Sequence, residues 1–264
     1  MKEYKFDAVK TTQECIDWIK RYFVDNGDIK TTAVIGISGG KDSAVAAALC
    51  AKALGKDKVI GVKMPQGVQE DIEYANKLID FLGIDSMEIN IGETCKSLYA
   101  SLYGCGRFTP LDHMPQITTN LPARIRMTTL YAAAAQFHGR VVNTCNLSED
   151  YVGYSTKFGD AAGDFSPLAN LTSEEVISIG HVLGLPDELL NKPPADGLSG
   201  LTDEDNLGFT YKELNDYLRQ DIIPSHEVLH EIETRHKRNV HKLKGMPKFI
   251  SRLGPWPHGG CWEL

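Results

Sequence analysis

Apolar side chains recur first at helical and then at strand spacing along this 264-residue chain, and the alternation runs through its first half. Thr11-x-x-Glu14 reads as a capping box that opens an amphipathic helix, with Ile16, Ile19 and Phe23 on one face. Ala33 to Ile37 is an unbroken, β-branched run, as in a buried strand. The chain then turns at Ser38-Gly39-Gly40 and resumes as an alanine-rich helix from about Lys41. Val59 to Val62 predicts a second strand, followed by a helix over about Glu70 to Leu82 that Gly83 closes. Met87 to Ile91 alternates and predicts a third strand. An alanine-rich helix from Pro122 to His138 precedes a fourth strand at Arg140 to Thr144. Strands alternating with helices imply right-handed crossovers. The expected fold is α/β, a doubly wound parallel sheet with helices on both faces.

The second half reads as mainly helical. Tyr151 to Pro167, rich in Gly, Asp and Ser, predicts one long loop, and loops of that length inside a compact domain usually carry function. Thr172-x-x-Glu175 and Thr210-x-x-Glu213 each open a helix, the first ending near Gly184. Pro224 to about Lys244 forms the last long one. Asn191 to Phe209 predicts a mobile lid or a segment ordered only with ligand. There is no repeat or low-complexity segment, so a single domain over residues 1–264 is expected.

In such a sheet ligands gather at the carboxyl ends of the strands, and the Ser38 turn lies at one of them. Two glycines there let backbone N–H groups approach a ligand, and the following helix aims its positive end at the same point. The turn is not a Walker A loop, which needs four residues between its glycines and then Gly-Lys-Ser/Thr. It contains an acid instead. A phosphate site has no use for Asp42 unless a cation lies between, so Asp42 reads as a ligand for Mg²⁺ bound to pyrophosphate oxygens. Glu149, from another strand end, is the second candidate carboxylate. The plainer alternative for each is an acid in the first turn of a helix. Ser38 and Ser43 offer hydroxyls to a leaving pyrophosphate. Lys41 adds a general positive charge.

A net charge of −7 argues against a general nucleic-acid binder and makes any anion site a local concentration of Lys and Arg. His236-Lys237-Arg238, continued by His241, Lys242 and Lys244, is such a concentration, although a bare charge run is more often a solvated face. The six cysteines form no Cys-x-x-Cys pair and no metal-type pairing with histidine. The N-terminus lacks an apolar signal core, and no apolar run approaches a membrane span. A reduced cytoplasm is the expected setting.

Ser38 to Ser43 resembles the pyrophosphate loop of the ATP pyrophosphatases, which cleave ATP between its α and β phosphates. Asn120 to Met127 is similar to the Ala-Arg-x-Arg-Met segment of NAD synthetases. Asn143 to Glu149 resembles their strand end running from Thr to Glu, and Gly153 to Asp160 their Thr-Lys-x-Gly-Asp loop. Pro167-Leu168, Leu171-Thr172, Lys192-Pro193-Pro194, Asp203-Glu204 and His236-Lys237-Arg238 continue the pattern in order. By these motifs the chain is identified as a member of the ammonia-dependent NAD synthetases, a resemblance covering nearly its whole length.

The resemblance implies a Rossmann-like sheet of the ATP pyrophosphatase type and a two-step reaction. The carboxylate of deamido-NAD attacks the α-phosphorus of ATP, with Mg²⁺, and ammonia then displaces AMP from the acyl-adenylate. It implies ATP contacts at Gly36, Ile37, Ser38, Gly39, Gly40, Lys41, Asp42, Ser43 and Thr144, and metal ligands at Asp42 and Glu149. Deamido-NAD falls to Arg124, Lys157, Asp164, His236 and Lys237. Asp42, Lys157 and Asp160 are the expected catalytic residues, with Asp160 or Asp164 taking the proton from NH₄⁺. Arg126, two residues from Arg124 and on another face, is expected in a structural ion pair. Residues 1–31, before the first strand, are too few for a glutaminase domain, so free ammonia is the expected nitrogen source.

A homodimer is also implied, and the stripe Ala123, Met127, Leu130, Ala134, Phe137 is its candidate seam. Two positions depart from the commonest pattern. Ser173 stands where many members have lysine, and Ala195 where many have Ser or Thr; Lys192 is a nearby base that could compensate. The competing readings are another ATP pyrophosphatase, amidating a different nucleotide as GMP synthetase does, and a module that binds ATP without turning it over.

Overall fold

The computed structural model describes residues 4–69, 71–107, 115–191 and 203–247. Lys192, Ala195, Cys261 and most of the expected lid lie outside them. Four strands, β1 (Thr32–Gly36), β2 (Val59–Lys63), β3 (Asp85–Glu88) and β4 (Gly139–Val142), form one parallel sheet in the order β3-β2-β1-β4. The strand order therefore reverses at β1, between β2 and β4, which is where an open α/β sheet leaves a crevice.

One face is covered by α1 (Ala8–Asn26), α2 (Lys41–Leu54), α3 (Ile72–Leu82) and α7 (Ser173–Val182), whose Ile19, Leu49, Leu78 and Ile179 share a core with β1. The other is covered by α4 (Gly92–Gly104) and α5 (Pro115–Gln136). A third cluster joins α6 (Leu147–Val152) to α9 (Asp203–Leu207), α10 (Tyr211–Gln220) and α11 (His226–Leu243). The short α8 (Asp187–Leu190) closes against α2 and α7. Helix α2 is buried continuously from Ser43 to Cys50. It is sandwiched between the sheet and other helices, and its alanines allow that close approach.

The structure moves several boundaries. Helix α1 starts at Ala8, capped by Asp7, whose carboxylate accepts from the Lys10 N–H at 3.0 Å; Thr11 lies inside the helix and forms no capping box. β3 ends before Ile89, but the Ile89 and Ile91 N–H groups bond to Lys63 and Pro65, so the pairing continues past the regular strand. α4 has no counterpart in the sequence reading, because its Ser, Thr and Gly content masks its period. α5 begins seven residues before Pro122, which it carries internally.

Part of the stripe expected to form a dimer seam packs on the sheet, while Ala123 and Met127 are half-buried outside that cluster. Ala134 is 5% exposed, and Leu130 and Phe137 pack on the same cluster as Val34, Val62 and Val141.

Candidate active site

The site begins at the end of β1, where Gly39 has φ +80°. A Cβ there would lie 3.0 Å from the Tyr74 Cβ and 3.2 Å from the Ala75 nitrogen, so only glycine lets the turn pack against α3. The Ser38 and Ser43 hydroxyls lie 3.1 Å apart, the Gly40 N–H donates to Ser38 Oγ, and Ser43 Oγ donates to the Gly40 carbonyl. No side chain caps the start of α2, so this turn places a helix's positive end at the mouth of the crevice. Ile37 itself is core. Its side chain is buried and its N–H continues the ladder to Val62. Gly36 ends β1 with Met64 and Leu130 close above it.

Asp42 and Glu149 meet through a residue the sequence reading did not single out. Asn146 donates from Nδ2 to Asp42 Oδ1 at 2.9 Å, and its main-chain N–H donates to Glu149 Oε2 at 3.2 Å. Its side-chain oxygen also accepts the Glu149 N–H, which completes a capping box on α6. Asn-x-x-Glu after a strand is a visible capping signal, so Asn146 was there to be read. Glu149 thus fills the plainer role of a capping acid while standing beside the Ser38 turn. The other Asp42 oxygen accepts from Lys41 Nζ at 2.9 Å. Thr144 is half-buried between β4 and this cap.

The loop after α6 forms a second grouping. Buried Asn143 ties it to β4 by donating to the Asp160 and Ala162 carbonyls, while its own oxygen accepts from Cys145 N and Ser166 Oγ. Thr156 donates its N–H to Asp160 and its hydroxyl to Asn120 of α5. Lys157 Nζ donates to the His241 carbonyl at 2.9 Å, and the exposed Arg124 reaches the Lys157 carbonyl at 3.4 Å. His236 is held by the Tyr151 carbonyl at 2.8 Å and stacks on its ring, and Lys237 is exposed. Lys242 donates to the Gly153 and Ser155 carbonyls, fixing the loop to α11. Among the described residues Arg126 makes no ion pair of the expected kind. Its Nε donates to the Met64 carbonyl, and burial pulls its pKa down.

Asp164 stands apart from both groupings. β4 is an edge strand, and Asp164 completes its ladder, taking the Val141 N–H on its carboxylate at 2.7 Å and returning its own N–H to the Val141 carbonyl. Tyr131 donates to the same carboxylate. Ser173, at the departing position, is 4% exposed and closes a neutral ring with Ser148 and Asn215. A cavity of about 590 Å³ between α1 and α7 is remote from this chemistry. It reaches Lys52, roughly 16 Å along α2 from Lys41 at 1.5 Å per residue.

Two acids here have raised pKa values. Desolvation lifts Asp160, opposed by its hydrogen bonds with Thr156 and the charge of Lys242, although one side of the residue faces solvent. Asp150 is pushed up to about 6, first by desolvation and then by Asp160. An acid raised in the folded state holds its proton more tightly there than in the unfolded chain. Its contribution therefore favours folding at low pH and is lost as pH rises from about 4 through 6. Asp150→Asn is expected to raise stability at pH 7.5 by about 1–2 kcal/mol, discounted for the half-buried position, and to add nothing at pH 4. Equal gains at both values in urea melts would contradict the assignment.

A family model described as NAD synthase matches residues 11–250. The chain belongs to the NAD synthase family. Within that family it is 42% identical over 190 residues to an NH₃-dependent NAD⁺ synthetase of Methanocaldococcus jannaschii, covering 70% of this chain and 71% of the relative. It is 36% identical over 258 residues to the Pyrococcus furiosus protein of the same name, covering 92% and 95%. Among solved structures it superposes on an NMN synthetase from Francisella tularensis with a TM-score of 0.83 at 36% identity, over 93% of this chain and all of that one. The α/β sheet and its crossovers are thus those of the NAD synthase family. No helix of the described residues is long and apolar enough to cross a membrane.

Proposed function

We propose that this protein is a ligase that amidates the carboxylate of deamido-NAD with free ammonia, using ATP and releasing AMP and pyrophosphate. The observation that carries this reading is the junction of Asp42 and Glu149 at Asn146, beside the Ser38–Ser43 turn, in a chain of the NAD synthase family. In this account the turn's amides and the Ser38 and Ser43 hydroxyls hold the pyrophosphate, with Gly36, Ile37 and Thr144 lining the nucleotide. Arg124, Lys157, His236 and Lys237 neutralise the acceptor's phosphates. Asp160 takes the proton from ammonium, a task that suits a carboxyl group lifted by desolvation. The contribution of the protein is mainly positioning and charge neutralisation.

The donor set fits Mg²⁺. Two carboxylates bond to the same residue, Asn146, and one of them already carries a cation. Asp42 and Glu149 would hold it, with nucleotide oxygens and water completing its shell. Bound there, it would neutralise charge developing on the leaving pyrophosphate. The reading also includes a cytoplasmic, single-domain enzyme working as a homodimer.

A second reading, nicotinic acid mononucleotide as the acceptor, is favoured by the likeness to the Francisella tularensis NMN synthetase. One assay decides between them. Purified protein with ammonium and MgATP is offered the dinucleotide, the mononucleotide or xanthosine monophosphate. We expect AMP release with deamido-NAD to exceed that with the other two. A preference for the mononucleotide would select the second reading, and turnover with xanthosine monophosphate would contradict both. Glutamine, with ammonia scavenged, is expected to support no product.

A further inference from the structure

We propose that Lys41 is a placeholder cation on Asp42, which cedes the carboxylate to the metal and moves to the polyphosphate when the Mg-nucleotide binds. The inference rests on the metal reading of Asp42 above. Adjacent residues on a helix do not face each other, yet Lys41 Nζ lies 2.9 Å from Asp42 Oδ2, with the two side chains 12% and 17% exposed. The pair exists only because the lysine folds back across the start of α2. Its ammonium also lies 5.9 Å from the centre of the Tyr211 ring, at the first residue of α10. A flexible four-carbon stem that ends between a carboxylate and an aromatic face can exchange partners with little rearrangement.

The local field favours that exchange. A cation at a helix N-terminus opposes the helix dipole, and the Asp42 carboxylate offsets that opposition. A polyphosphate brought to the same turn suits both the dipole and the lysine. The carboxylate it leaves is then available to a hard divalent ion. α7 offers no substitute, because Ser173 at its first position is buried and bonded to Ser148 and Asn215. Among the described residues, Lys41 is the cation bonded to Asp42.

A placeholder makes two measurements shift in opposite directions. Lys41→Met keeps the stem and removes the charge, with Lys41→Gln as a second variant if methionine disturbs folding. Mn²⁺ binding to the full chain without nucleotide, followed by electron paramagnetic resonance, should tighten roughly fivefold once the competing ammonium is gone. The KM for ATP should rise about tenfold in the same protein, the loss of one phosphate-directed charge. Lys41→Arg should restore both toward wild type. A lysine with only a structural role would weaken both. Unchanged Mn²⁺ affinity in Lys41→Met, while Asp42→Asn lowers it, would overturn the placeholder and leave the metal reading standing. Mn²⁺ binding indifferent to Asp42→Asn would overturn both.

Discussion

Asp42→Asn and Glu149→Gln are each expected to lower AMP formation by about a hundredfold or more while leaving the fold intact. Both substitutions keep the bonds to Asn146. An amide oxygen at position 42 still accepts from Asn146 Nδ2, and glutamine at the third position of α6 still completes its capping box. The negative charge is lost and, in Asp42→Asn, so is the oxygen that accepts from Lys41. Removing a carboxylate from a cation that stabilises a leaving pyrophosphate costs several kcal/mol in the transition state, and each 1.36 kcal/mol is a factor of ten in rate. The check is AMP release at saturating and at limiting Mg²⁺, with melting curves as the control. Normal turnover by both variants at limiting Mg²⁺ would remove the metal role.

Asn146→Asp separates the cap from the site in the opposite way. Aspartate caps a helix as well as asparagine does, so the start of α6 keeps its partner. The donor to Asp42 is replaced by a second negative charge at the same 2.9 Å contact. Like charges this close repel by about 6 kcal/mol at an effective dielectric near 20, and relaxation of the contact and solvent screening reduce that further. We expect a loss of about 1–3 kcal/mol in stability at neutral pH, recovered when the acids are protonated near pH 4 or when millimolar Mg²⁺ is added. Turnover should fall more than tenfold. A variant that melts like the wild type at pH 7 without Mg²⁺ would show that the side chains at positions 42 and 146 are farther apart in solution than their 2.9 Å contact implies.

The sheet was legible because its strands are short, buried and β-branched, and a buried strand has little freedom to read otherwise. Ala33 to Ile37, Val59 to Val62 and the boxes at Thr172 and Thr210 all fall where the structure has them, within a residue or two. β3 is harder to read. It is an edge strand with half-exposed residues, so its pattern placed it two residues late. Helix α4 was missed for a related reason, since Ser, Thr and Gly give a weak apolar period. The α5 stripe shows the limit of periodicity. It tells which residues share a face, but not whether that face meets the sheet or another subunit.

The candidate site was legible in its residue types but not in its couplings. The Ser38 turn and Asp42 stand out because an acid inside an anion-binding turn needs an explanation. That Asn146 joins Asp42 to Glu149, 104 residues apart for the first pair, is a tertiary fact. The Asp164 ladder contact is another, since no local pattern marks a side chain that replaces a strand. Asp150 was equally silent, because a raised pKa comes from packing and not from neighbours in sequence.

The central claim, that ATP activates the acceptor's carboxylate by transferring its adenylyl group to it, can be tested by following oxygen. Deamido-NAD is labelled with ¹⁸O in the nicotinate carboxylate and turned over with ammonium and MgATP, and the products are weighed by mass spectrometry. Attack of the carboxylate on the α-phosphorus followed by amide formation must leave one labelled oxygen in AMP and none in pyrophosphate. Label in pyrophosphate or inorganic phosphate, or release of ADP in place of AMP, would contradict the account.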